Sequence, residues 1–155
     1  MSCAAIHDLP MRRAIGVSKT NPRHPFGAVI FDRVAGDVVA HGINQSGSNP
    51  VLHGEIDATN SYAAFGAAKW QRLVLYTTAE PCPMCMSAIL WAGITTVVYG
   101  TSIPTLVQFG WNQIDIRAGE IVAKSHRPEC ELVGGILERE CDMLFRSSLR
   151  GADKK

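Results

Sequence analysis

Leu73-Val74-Leu75-Tyr76-Thr77-Thr78-Ala79-Glu80-Pro81-Cys82-Pro83-Met84-Cys85 decides how the chain is read. Leu73 to Thr78 is apolar, β-branched and aromatic, which predicts a buried strand. Met86-Ser87-Ala88-Ile89-Leu90-Trp91-Ala92 then has helix-forming character and stops at Gly93, a residue suited to a helix C-terminus. Pro83 fits the first helical position, where its missing N–H is no loss. Cys82 therefore falls at the N-cap and Cys85 in the first turn. The positive end of the helix dipole lowers thiol pKa there and favours the thiolate, the form that binds metal.

A Cys-x-x-Cys alone serves as half a zinc site, as a redox pair, or as neither. His53-Gly54-Glu55 lies upstream, just before a second helical pattern. His53, Cys82 and Cys85 supply three ligands of the types zinc prefers. A fourth position left to water marks a catalytic rather than a structural zinc. Two thiolates and a neutral imidazole offset the 2+ charge, and the ion still lowers the pKa of bound water. Glu55 is then free to move protons. Positions i and i+2 do not share a helix face, so a first turn aims His53 at the metal and Glu55 at the water. A thiol–disulfide reading of Cys82-Pro83-Met84-Cys85 also suits a strand-then-helix setting, but it leaves the His53–Glu55 pairing unexplained. Glu55 likewise argues against a zinc-bound but inactive partner subunit.

At 155 residues the chain is expected to be one domain, with its core at about 8–149 and a frayed tail at 151–155. A domain of this size buries about 68–70% of its unfolded surface, enough for a core without staples. A net charge of +1 gives no strong steering toward nucleic acid or anionic membrane. No apolar run is long enough to span a bilayer. Met1 to Asp8 lacks the basic and long apolar regions of a signal peptide, so a cytoplasmic location is expected. Five cysteines suggest metal or redox use rather than a disulfide framework. Cys3, Cys130 and Cys141 read as ordinary thiols.

Along the chain, Asp8 is expected to cap a helix with Pro10 just inside it, and Lys19 to Pro25 is loop. Phe26–Phe31 and Val38–Ile43 form a hairpin around Gly36. Asn44 to Pro50 is a polar loop. Leu52 to about Ala68 is helix, with Ile56, Ala63, Ala64 and Ala67 as core positions. Thr95–Gly100 is a strand. The pattern weakens from Thr101 to Pro128, where Pro104 and Arg117 open short helices around the aromatic Phe109-Gly110-Trp111-Asn112-Gln113-Ile114-Asp115. Cys130–Val133 is an edge strand. Ile136–Leu149 closes the domain as a helix through Leu137, Cys141, Leu144, Phe145 and Leu149. A hairpin followed by strand–helix–strand alternation reads as a mixed sheet between helix layers.

His-x-Glu followed by Pro-Cys-x-x-Cys resembles the cytidine deaminase superfamily of zinc-dependent nucleobase deaminases. Pro25-Phe26-Gly27-Ala28-Val29-Ile30, Gly42-Ile43-Asn44 and Gly135-Ile136-Leu137-Glu138-Arg139-Glu140-Cys141 support the branch of guanine, fungal-type cytosine and tRNA adenosine deaminases. The resemblance covers roughly residues 8 to 149. It implies an α/β fold, a three-layer α/β/α sandwich with a central five-stranded mixed sheet. It also implies one Zn²⁺ per chain with a bound water, Glu55 as general acid and base, and a homodimer whose pockets are completed across its interface.

Asn44 ends a strand, where its amide both donates to and accepts from a ring edge. Phe26 is placed to stack on the base, and Trp91 to reach the pocket. Trp111 and Asp115 lie in an aromatic loop suited to closing over a ligand, with Asp115 accepting from a ring N–H and amine as guanine offers them. Arg146, Arg150, Lys154 and Lys155 read as a solvated face more than as phosphate contacts. Guanine, giving xanthine, is the first expected substrate, on Pro25 to Val29 and Trp91. Leu52-His53-Gly54-Glu55-Ile56 looks more like cytosine deaminases. The Gly-Phe-Asp segment of guanine deaminases is replaced by Phe109 to Asp115. Gly135 to Cys141 resembles tRNA adenosine deaminases, against which the near-zero net charge stands.

Overall fold

The computed structural model describes residues 3–66 and 69–152, with side chains from residue 5 to 148. Ala67, Lys154, Lys155 and the side chains of Cys3, Leu149 and Arg150 lie outside the described residues. Five strands make one sheet: β1 (Gly27–Asp32), β2 (Asp37–Ile43), β3 (Leu73–Ala79), β4 (Thr96–Thr101) and β5 (Glu131–Val133). Their order is β2-β1-β3-β4-β5, with β1 antiparallel to β2 and β3, and β3, β4 and β5 mutually parallel. The hairpin register skips Val39, since Ile30 faces Ala40 and Phe31 faces Val38. Among the described residues six α-helices flank the sheet: α1 (Cys3–Ser18), α2 (Gly54–Ala64), α3 (Pro83–Ala92), α4 (Ile103–Gln108), α5 (Ala118–Ala123) and α6 (Glu138–Ala152).

The layering follows from side-chain alternation along strands buried on both sides. Ala28, Ile30, Leu73, Leu75 and Val97 meet Ala58 and Tyr62 of α2, Met86, Ile89 and Leu90 of α3, and Val122 of α5. The intervening Val29, Val74, Tyr76 and Val98 meet Met11, Ala14 and Ile15 of α1 and Cys141 of α6. Each such Leu or Ile contributes about 1.5–3 kcal/mol by leaving water. The three-layer sandwich with a five-stranded mixed sheet is the expected fold.

Three helices differ from expectation, the simplest being α6, which starts at Glu138 rather than Ile136 and runs through Ala152 into the expected tail. α1 begins by Cys3 rather than at Asp8, and Pro10 lies inside it. Asp8 instead pairs with Arg12 one turn on, at 2.8 Å. The ring removes one helical hydrogen bond, yet Pro10 is buried beside Met11, Ala14 and Ile15, and that apolar face holds the helix on the sheet. α2 ends at Ala64, and Ala63 and Ala64 are exposed while Ile56 is only partly buried. Gly54 and Glu55 turn toward the sheet and set the phase, so Ala58 and Tyr62 face inward at the i+4 and i+8 positions. Among the described residues no helix is long and apolar enough to cross a membrane.

Candidate metal centre and its pocket

Two helix starts meet at one end of the sheet. His53 is the N-cap of α2 and Cys82 the N-cap of α3, both with extended backbone, and Pro83 opens α3 as its missing N–H permits. α3 closes at Gly93, whose φ of 90° is left-handed. Cys85, in the first turn, points the same way as Cys82. His53 Nδ1 lies 3.6 Å from the Sγ of Cys82 and 3.6 Å from the Sγ of Cys85. Tetrahedral zinc with bonds of about 2.3 Å to sulfur and about 2.05 Å to nitrogen holds N and S about 3.6 Å apart. The three ligand atoms lie within 4.8 Å of one another, the one such group among the described residues. The residues therefore fit a zinc ion.

α2 reaches this position by backbone contact. A Cβ at Gly42 of β2 would overlap Ala58 N and Gly54 O, and one at Gly54 would overlap the Phe26 carbonyl oxygen. Gly54 is thus required by the close approach of α2 to the loop before β1. The Asp57 carboxylate reinforces the seat by accepting the Ile43 N–H at 3.0 Å.

The electrostatics poise Cys82 as the thiolate of the three. Cys82 is brought down to about 4, first by the Cys85 thiol that donates to it and then by His53 and the Cys85 N–H. Cys85 is raised, through that same bond and through burial. The bond to Cys82 also raises His53. Glu55, 4% exposed, has its carboxyl pushed up by burial and by the Cys82 thiolate, with Thr77 and His53 pulling the other way. The Thr77 hydroxyl donates to Glu55 Oε1 at 3.0 Å and fixes the carboxylate, which lines the pocket.

A cavity of about 360 Å³ opens over these groups, lined among others by His24, Phe26, Asn44, Ser46, Trp111 and Gln113. That is the lower range for small-molecule sites, about 300–1,000 Å³. Phe26 and Trp111 meet edge to face with centroids 5.2 Å apart, and Phe145 backs Phe26 at 4.8 Å. The Trp111 indole N–H donates to the Phe145 carbonyl at 3.3 Å. Asn44 is 6% exposed; its Oδ1 accepts from the Ser46 N–H at 3.0 Å and hydroxyl at 2.7 Å. Asn44 was expected to donate and accept; with Oδ1 engaged, Nδ2 is the group left to donate to a ligand. A larger cleft of about 1090 Å³ lies between α1 and α6 and shares only His24 and Trp111 with the pocket. It holds none of the metal-ligating side chains, so the smaller cavity is the chemical site.

Phe26, Asn44 and Trp111 are thus brought to the metal end, and two expected residues are not. Trp91 is 78% exposed and lies against His126, ring centroids 4.7 Å apart. Six residues past Cys85 on a helix is about two-thirds of a turn off its face, so Trp91 points outward. Asp115 is exposed and outside the pocket lining. The chain reaches the pocket at Gly110 to Gln113 and has turned away by residue 115 toward α5. His24, Ser46, Gln113 and Glu80 went unread in the sequence. Glu80 alone carried a signal, being an acid set between a buried strand and Pro81. The others are loop residues whose direction depends on distant contacts.

A profile of the cytidine and deoxycytidylate deaminase zinc-binding region matches residues 5–101. A probable cytosine deaminase of Schizosaccharomyces pombe is 28% identical over 138 residues, 84% of each chain. A guanine deaminase of Bacillus subtilis is 35% identical over 91 residues, 57% of each chain. A tRNA-specific adenosine deaminase of Bacillus subtilis is 27% identical over 154 residues, 96% of this chain and 91% of that one. In three dimensions, a guanine deaminase from Nitrosomonas europaea superposes with a TM-score of 0.75 at 22% identity, covering 91% of this chain and 83% of that chain.

Proposed function

Because this chain belongs to the cytidine and deoxycytidylate deaminase family of zinc-binding hydrolytic enzymes, we propose that it deaminates a free nucleobase or a similar small amino-heterocycle, with guanine as the first substrate and xanthine and ammonia as products. The observation that carries the reading is the pocket lining. It is about 360 Å³, aromatic and polar, and no Lys or Arg lines it among the described residues. An uncharged ring suits such a site better than a phosphorylated one. Guanine is favoured by the 35% identity to a guanine deaminase over 91 residues of this chain.

When bound, zinc lowers the pKa of water to near neutrality. His53, Cys82 and Cys85 hold the ion. Glu55 takes the proton that the attacking water loses and returns it to the ring nitrogen, then passes a second to the leaving amine, so that water enters at the ring carbon and ammonia departs. Thr77 keeps that carboxylate aimed. Phe26 and Trp111 present ring faces and edges to the heterocycle, and Asn44 Nδ2 donates to one of its acceptors. Cytosine is the second reading, favoured by Gly54 and by Trp91 and Asp115 falling outside the pocket. The reading includes a cytoplasmic homodimer, for which the exposed Trp91 face offers apolar surface; sedimentation at micromolar concentration tests it.

Ammonia release from zinc-loaded protein decides the substrate, using guanine, adenine, cytosine, guanosine, cytidine, pterins and amino-triazines. Guanine turnover alone is the expected result. Cytosine turnover alone replaces it with the second reading. Tight, salt-sensitive tRNA binding with no free base consumed overturns both.

A further inference from the structure

Glu80 sits between the last residue of β3 and the Pro81-Cys82 step, and is 3% exposed. Its two oxygens are fully engaged. Oε1 accepts from Arg117 Nε and from the Ala118 N–H, each at 2.9 Å. Oε2 accepts from Arg117 Nε and from the Ile103 N–H, again at 2.9 Å. One carboxylate thereby ties the metal loop to the first residues of α4 and α5. Arg117 reaches on to the Tyr99 hydroxyl at 3.3 Å. Although Glu80 borders the pocket, it has no acceptor left for a ligand.

The chain between those two helices carries the pocket wall. Trp111 is fixed by its N–H to the Leu106 carbonyl at 3.0 Å and by its indole N–H to Phe145. Past Trp111 the support thins. From Asn112 to Ile116, among the described residues, the one backbone hydrogen bond runs from the Ile116 N–H to the Ile114 carbonyl at 2.8 Å. Among the described residues no side chain in that stretch hydrogen-bonds to the rest of the fold, yet Asn112 and Gln113 line the cavity. The next firm attachment is Arg117 and Ala118 on Glu80.

We propose that Glu80 is a positioning residue: with Arg117 it anchors the far end of the Asn112–Ile116 wall, so that substrate affinity depends on an ion pair, buried at its carboxylate end, that touches neither metal nor ring. The inference rests on this cavity being the substrate site. Glu80 acts through Gln113 and Asn112, which a loosened anchor lets swing away from the ring. The three metal ligands sit on the other side of Pro81, held by α2 and α3, and keep their geometry. The consequence is a split, with substrate affinity falling and the chemical step preserved.

The test uses zinc-loaded E80Q, R117M and R117K. Gln at position 80 keeps the volume but sets an amide donor against a backbone N–H; R117M removes the ion pair from its solvent-facing end, which guards against a misfolded E80Q. Hydrogen exchange of amides 112–117 is expected to accelerate about tenfold or more in E80Q and R117M with β3 and β4 unchanged. Zinc stays at one per chain. With whichever base the wild type consumes, KM rises about tenfold while kcat stays within about twofold, and R117K recovers part of the loss. Unchanged exchange in both variants overturns the proposal, whether or not any base is consumed. So does accelerated exchange with KM unmoved, or a fall in kcat together with zinc loss. A wild type that consumes no base sinks the substrate reading, and the exchange result then still decides the anchor.

Discussion

The metal end and the recognition wall share one cavity and are built by opposite means. His53 and Cys82 stand at the starts of α2 and α3, where regular backbone leaves no freedom of direction. Beneath them α2 rests on β2 and on the loop before β1 with no side chain at Gly42 or Gly54. The wall is assembled from loop pieces, each steered from far away. Asn21 Nδ2 donates to the Asn44 carbonyl at 2.9 Å, Ser46 turns the Asn44 amide, and Phe145 of α6 holds the Trp111 indole. Rigid backbone fixes the chemistry, and exchangeable side-chain contacts fix what is presented to it.

The contrast is broken most severely at the metal. C82A should lose zinc and all measurable turnover, read by metal content and ammonia release; retained zinc with activity would sink the three-ligand assignment. E55Q should keep one zinc per chain and lower kcat by about 10²–10⁴-fold, with normal turnover removing Glu55 from proton transfer. G42A pushes a methyl into backbone that has no room, and overpacking of this kind costs about 1–3 kcal/mol. Urea unfolding should show that loss together with weaker zinc retention, whereas full stability would mean α2 is not seated as rigidly as argued. On the wall, N44A should keep zinc and cut kcat/KM about tenfold, through loss of one donor to the ring.

The smallest effect belongs to a site far from both. Burial works to raise Asp32, and the N–H groups of Val34 and Ala35 and the Arg72 guanidinium outweigh it, holding the carboxyl below its ordinary value. A lowered folded pKa stabilises the fold above the unfolded value, about 3.9, and that contribution is lost as pH falls through the lower folded value. Wild type should therefore lose its stability advantage over D32N as pH drops below about 4, and thermal melts across that window that stay parallel would exclude Asp32 as a source.

The same division explains what the chain disclosed in one dimension. Leu73 to Thr78, Pro83 and Gly93 act within a few residues of themselves, and strand, cap and stop followed. The helix phase of α2 was misjudged because Ala63 and Ala64 are as apolar as Ala58, and only the seat at Gly42 chooses between them. Trp91 and Asp115 were drawn toward the pocket by residue type, when three-dimensional direction was the missing quantity. His24 and Gln113 had no pattern of their own, since His24 packs against Trp111 and Gln113 follows it, and Trp111 is held by Leu106 of α4 and Phe145 of α6. Gly42 was legible only as part of a motif, without its reason.

The contact of α2 with the backbone at Gly42 and Gly54 bears on how such an enzyme changes its diet. In a deep mutational scan selected for a new base, substitutions at positions 42 and 54 would disappear with the unfolded fraction and leave no specificity signal. Winners would collect in the stretches 24–26, 44–46 and 110–113. A lineage can thus exchange one substrate for another many times over while its zinc geometry stays untouched, because drift is confined to parts of the chain the metal does not lean on.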